Sequence, residues 1–197
     1  MRNLCFGGSF NPVHNGHLIV SRAAADAAGF DRVVLLPSAV PPHKLRQPDM
    51  ADADDRLAMC RLAADATPGF DVDDLEMRRP GPSYTIDTAR ELKRRGWTSV
   101  NWLIGADQVP KLPAWREPEA LLREVEFVVI ARPGWSFDWE SLPREYQFLR
   151  ERVVQAPLVN ISATDIRRRV AASEPIDDLV PPAVARYVER KGLYHPR

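Results

Sequence analysis

The chain has 197 residues, 45% of them apolar and 27% charged, with 27 basic against 27 acidic side chains and a formal net charge of +0. That composition fits a globular enzyme long enough to bury a substantial core, read as a single domain over residues 1–197 with 160–197 as a C-terminal helical portion packed on it. The charge balance gives no case for a nucleic-acid partner or an anionic membrane, so any phosphate recognition must come from local placement.

Residues 4–6 (Leu-Cys-Phe) read as a first strand, followed by Gly7-Gly8-Ser9-Phe10-Asn11-Pro12-Val13-His14-Asn15-Gly16-His17 and then by an Ala-rich helical stretch to Ala28. A strand thus enters a glycine turn and leaves through a helix whose first turn carries His17. Amides at such a helix start, with small residues before them, form a ready site for phosphate, and two imidazoles three apart add donors. Three other readings compete. A dinucleotide fingerprint needs an acid near the end of the second strand, and Leu36-Pro37-Ser38 has none. A metal site from His14, His17 and Cys5 lacks further ligands at a recognisable spacing. Two surface-capping histidines would be the bland reading, which His-x-Gly-His after a Gly-Gly turn makes a poor fit.

Residues 31–37 read as a second, buried strand, completing a right-handed βαβ unit. The proline-stiffened loop Ser38-Ala39-Val40-Pro41-Pro42-His43-Lys44 follows at the carboxyl end of that strand, where α/β sheets bind ligands. Lys44 is there either a solvated loop residue or a ligand for an anion. A helix over 51–66 is stopped by Pro68-Gly69, and 70–75 reads as an edge-like strand. A turn from Arg78 feeds a helix over 86–96, with Ser83 or Thr85 as its N-cap. The strand 99–104 delivers Gly105-Ala106-Asp107, where Asp107 serves as a ribose acceptor, a helix cap, or both. Trp115 is a packing residue on residue type alone.

A helix over 118–125 precedes the run Phe127-Val128-Val129-Ile130-Ala131, a central parallel strand too short to span a membrane. Arg132 at its end is a phosphate ligand or a surface residue. Residues 137–150 read as loop and short helix, 153–156 as a late strand that 158–161 extends. Ser162 then caps a helix to about 172, with Asp165 three residues on making a near capping box. Thr164 and Arg167 share a face of it. A last helix over 183–190 ends at Gly192, with Leu193-Tyr194 docking behind it. Cys5 and Cys60 suggest no disulfide framework, and Met1-Arg2-Asn3-Leu4 no signal peptide, so a reducing cytoplasm is expected.

Five ordered segments resemble a known family. Gly7 to His17 is similar to GGTFDPIHxGH of the HxGH nucleotidyltransferases; Pro41 to Lys44 to a PPHK/R loop; Ser83 to Thr88 to SYTxxT; Gly105 to Asp107 to GxD; Ile161 to Arg167 to ISSTxIR. Within that superfamily the chain looks most like the bacterial nicotinate-nucleotide adenylyltransferases. The resemblance implies a Rossmann-like, doubly wound α/β fold with a mostly parallel sheet. It further implies transfer of the adenylyl group of ATP to nicotinate mononucleotide in NAD biosynthesis, releasing pyrophosphate.

By the same resemblance His14, His17 and Arg167 are catalytic. Gly7, Gly8, Ser9, Phe10, Gly105, Asp107, Ser162 and Thr164 join them in binding ATP. Asn11, Lys44, Ser83, Tyr84, Thr85, Trp115 and Arg132 bind the mononucleotide, Trp115 by stacking on the ring. Mg²⁺ is expected to be carried by ATP, with no protein metal site, and the resemblance admits a homo-oligomer. Ser9 and Asn11 depart from the usual Thr and Asp, and Asn11 removes a charge. Alternatives are an acceptor such as nicotinamide mononucleotide or another phosphorylated compound, or a nucleotide-binding module without turnover. A phosphopantetheine acceptor fits less well, because that branch usually has Thr where His14 stands.

Overall fold

The computed structural model describes residues 1–41 and 49–196. Six strands form one sheet: β1 (Asn3–Gly8), β2 (Arg32–Pro37), β3 (Phe70–Val72), β4 (Asn101–Gly105), β5 (Glu126–Ala131) and β6 (Val153–Gln155). Their order is β3-β2-β1-β4-β5-β6, and the β1/β4, β4/β5 and β5/β6 ladders are parallel. Leu4 stands beside Asn101, Trp102 beside Phe127 and Ile130 beside Val154. The helices are α1 (Asn15–Ala27), α2 (Ala53–Asp65), α3 (Thr85–Arg94), α4 (Pro118–Glu124), α5 (Ala163–Ala171) and α6 (Pro182–Lys191). This is the Rossmann-like α/β fold expected. The apolar runs of β2 and β5 are buried along nearly their whole length, as strands covered on both faces must be.

The chain divides into two compact units. One comprises Met1–Phe6, Val20–Val33 and Tyr84–Leu158; the other comprises Gly7–Ile19, Val34–Ser83 and Val159–Arg197. In the first, Leu103, Phe127, Val129 and Leu121 are buried, and Lys93 and Arg90 of α3 pair with Glu124 and Glu117 at 2.6 and 2.7 Å. In the second, Leu35, Leu36, Met59 and Val184 are buried, and α2 is tied to α6 through Asp55, which accepts from the Tyr187 hydroxyl at 2.8 Å and pairs with Lys191 at 3.0 Å.

Three local expectations are corrected and one is met. Neither Ser83 nor Thr85 caps α3: Tyr84 holds the N-cap position in extended backbone and donates no side-chain cap. Residues 106–114 form a 3-10 helix whose N-cap is Gly105, not Asp107, because Pro110 and Pro113 deny it regular α-helical bonding. Segment 137–150 is loop and short helix as expected, carrying the 3-10 helix Trp139–Ser141 and most of a second, Arg144–Arg152. Residues 158–161 do not extend β6, and Leu158 is 79% exposed there.

Candidate active site

The motif loop leaves β1 and is folded back by its own side chains. Phe10 lies in left-handed backbone, φ 45°, with its ring against Gly8, where a Cβ would stand 3.1 Å from the ring. That contact explains the second glycine of the pair. The His14 and His17 rings stack at 3.6 Å, and Phe10 meets His17 edge-on at 5.1 Å. Gly16 permits the stack: a Cβ there would come within 3.0 Å of His14 Nδ1 and 3.4 Å of Ile161 Cβ. The second distance also brings the start of α1 against the segment that enters α5.

Hydrogen bonding fixes the tautomers of both imidazoles. The His17 backbone N–H donates to His14 Nδ1 at 3.2 Å, and the His14 backbone N–H donates to His17 Nδ1 at 3.3 Å. Each Nδ1 is therefore an acceptor, and each neutral ring carries its proton on Nε2. Burial pushes the His14 pKa down to about 4, so this ring is neutral at physiological pH.

Not every helix-start amide remains available. In α1 the Asn15 N–H donates to Leu179, and those of His17 and Leu18 to the His14 carbonyl. In α5 the Asp165 N–H goes to Ser162 Oγ, the expected cap, and the Ile166 N–H to the Ser162 carbonyl. The amides of Gly16, Ala163 and Thr164 carry no hydrogen bond to described residues.

Arg167, expected to grip phosphate, is buried and largely engaged. Its Nε pairs with Asp49 at 2.6 Å, and Nη1 donates to the Asn11 carbonyl at 2.8 Å. Among the described residues Nη2 reaches only Thr164 Oγ1, at 3.5 Å. Asn11, expected to touch the mononucleotide, is 3% exposed and its carboxamide is committed within the protein. Its Oδ1 accepts from Ala51 N–H and Tyr194 O–H, both at 2.9 Å, and its Nδ2 donates to the Asp49 carbonyl at 3.1 Å. A carboxylate could not make that last bond, so Asn suits this surrounding better than the usual Asp. Burial holds the Tyr194 hydroxyl in its protonated, donating form.

In the other unit, the Arg116 guanidinium sits 4.7 Å from the Tyr84 ring, so the start of α3 and the Trp115-Arg116 turn come together. Trp115 Nε1 is buried with no hydrogen-bond partner among the described residues. Asp107 is exposed, 4.0 Å from Lys111, and accepts from Gln108. A Cβ at Gly105 would lie 2.6 Å from Asp107 Oδ1, the free end of an exposed side chain that could turn away. Arg132 is exposed. Ser83 belongs to the same unit as the histidines; its N–H donates to the Val40 carbonyl at 3.0 Å and its hydroxyl is buried with no partner among the described residues. Lys44 lies outside the described residues. Cys60 is fully buried, and its thiol pKa is raised by burial, which leaves no reactive thiolate.

The family described as cytidylyltransferase-like matches residues 5–169. A protein of Roseiflexus sp. strain RS-1 named probable nicotinate-nucleotide adenylyltransferase is 40% identical over 190 residues, 95% of each chain. One of the same name from Neisseria meningitidis serogroup C is 41% identical over 199 residues, 96% of each. This chain belongs to the nicotinate-nucleotide adenylyltransferase family. Among solved structures, the Plasmodium falciparum nicotinic acid mononucleotide adenylyltransferase complexed with NaAD superposes with a TM-score of 0.75 over 98% of each chain, at 19% identity, a likeness of fold.

Sequence reasoning found the histidines, Gly16 and the Ser162 cap of this family member. It missed Asp49 and Arg56, the latter a fully buried guanidinium in α2. A single Arg in an amphipathic helix gives no signal that it points inward.

Proposed function

We propose that this protein transfers the adenylyl group of ATP to nicotinate mononucleotide, giving nicotinate adenine dinucleotide and pyrophosphate. The carrying observation is the meeting of two helix starts at Gly16 and Ile161, with unbonded amides on both and two Nε2-protonated imidazoles beside them. Such a set of donors suits a polyphosphate. Family membership at about 40% identity over nearly the whole chain supports the acceptor.

The reaction forms a bond from a phosphate oxygen of the mononucleotide to the α-phosphorus of ATP and breaks the α–β bridging bond. The acceptor phosphate is already mostly dianionic at neutral pH, its second pKa being near 6, so no side-chain base is required. The protein's part is alignment and charge neutralisation. His14 and His17 donate through Nε2–H, the Gly16, Ala163 and Thr164 amides bind oxygens, and Arg167 turns its Nη2 edge to the same anion. Ser83, Tyr84, Thr85, Trp115, Lys44 and Arg132 serve the mononucleotide; Gly105 and Asp107 serve the ribose.

Mg²⁺ enters as part of the nucleotide substrate. Among the described residues no group of three or more His, Cys, Asp or Glu is placed to hold a metal ion. Both cysteines are free thiols, which supports a cytoplasmic site of action; no helix of the described residues is long and apolar enough to cross a membrane.

Pyrophosphate release with ATP and each mononucleotide tests the reading. Release with nicotinate mononucleotide well above that with the nicotinamide form is expected. Preference for the amide would move the acceptor, and no release with either would leave only a binding module.

A further inference from the structure

Arg56 has no place in the chemistry above, yet it is the largest fully buried side chain, 1% exposed. Its side-chain hydrogen bonds to the described residues all go to carbonyl oxygens: Nε to Ala51 at 3.0 Å, Nη1 to Ser9 and to Ser38 at 2.7 Å each, Nη2 to Ala39 at 2.9 Å. Among the described residues no carboxylate binds it directly; Asp52 acts on it only at a distance. Burying a guanidinium without an ion pair is expensive, and four acceptors offset that cost only if the geometry is kept. If filling space were all that is required, an apolar side chain of similar volume would do it at less cost.

The bond to Ser9 is the informative one. It fixes the plane of the Ser9–Phe10 peptide, and Phe10 then sits at φ 45°, a region that a bulky residue occupies only when its surroundings hold it. The Phe10 ring is in turn buried, laid on Gly8 and set edge-on to His17 at 5.1 Å with an interplanar angle of 79°. One continuous path therefore runs from the guanidinium through the Ser9 carbonyl and the Phe10 backbone to the Phe10 ring and the imidazole. Through Ser38 and Ala39 the same guanidinium also anchors the end of β2 to this loop, so the loop cannot shift alone.

We propose that Arg56 is a positioning residue for adenylyl transfer: by holding the Ser9–Phe10 peptide it sets the Phe10 ring and thereby the orientation of the His17 imidazole. This rests on the reading of His17 as a phosphate donor. Lysine keeps the charge but cannot reach four carbonyls at once.

Arg56→Lys should lower kcat about 10- to 100-fold, the scale of a small misplacement of a reacting group, while KM for either substrate changes less than about threefold. In a His17→Ala background the same change should cost almost nothing further, because its effect passes through His17. An equal fold-loss in both backgrounds would overturn the proposal. Phe10→Ala, which leaves all four Arg56 bonds in place, should lose kcat to a similar degree. Wild-type kcat in that variant would break the path, and this arm stands even if Arg56→Lys does not fold. Long-range ¹H–¹⁵N spectra of the imidazoles in the ligand-free protein provide a readout independent of turnover. The His17 ring resonances should move in either variant; unmoved resonances in a folded variant contradict the proposal whatever the reaction proves to be.

Discussion

His14 and His17, the two donors of the proposed site, stand in different surroundings. His14 is 6% exposed and neutral, its pKa pulled to about 4 by burial, while His17 is half-buried and is oriented by Phe10. Loss of His17 removes one donor to developing charge, so His17→Ala should cut kcat by about a hundredfold, with a smaller change in KM. A steady-state assay showing near wild-type kcat would remove His17 from the mechanism. The burial of His14 also has a stability consequence. The unfolded chain takes up this proton near pH 6.5 and the folded chain only near pH 4, so between those values the unfolded state binds more protons. The contribution is complete above pH 6.5 and is lost as pH falls, reaching about 3 kcal/mol near pH 4. Urea titrations across that window should show wild type losing more stability than His14→Gln by about that amount; parallel curves would mean that His14 is not held neutral. The histidines were legible in the sequence because their spacing and the preceding glycines announce a helix start. Arg56 and Asp49 were not, since their roles depend on carbonyls and a guanidinium brought from far along the chain.

Among the elements, α5 follows its local chemistry most closely. Ser162 is its N-cap, as the spacing to Asp165 suggested, and Asp165 also holds Arg168 and Arg169 on the outer face. Ser162→Ala should cost roughly 1 kcal/mol of stability in a denaturant titration, the usual worth of such a cap. A change below a few tenths would mean that α5 is held by packing alone. The start of α3 was misread for an instructive reason. Ser and Thr there satisfy a capping pattern, but Ser83 is turned to Val40 through its backbone and its hydroxyl is buried, leaving Tyr84 at the cap position. Pro37 closes β2, where the sequence reading ended that strand. The effect of proline at 110 and 113, which turns a connection into a 3-10 helix, could not be read from residue type because it depends on how the segment after β4 is packed.

At the scale of the whole molecule, alternating strand and helix patterns were enough to indicate a parallel α/β sheet, and buried runs such as 127–131 marked an interior strand. Strand order was beyond the sequence, because the β1/β4 neighbours are nearly a hundred residues apart in register, Leu4 beside Asn101. The division into two units was equally hidden: each is assembled from three separate stretches of chain. The functional account depends on one feature of the second unit, the shared location of the α1 and α5 starts. Titration of the ¹⁵N-labelled protein with inorganic triphosphate tests it most directly. The account predicts that the amides of Gly16, Ala163 and Thr164 shift together along one saturation curve. Shifts at only one of the two helix starts, or two separate curves, would contradict it.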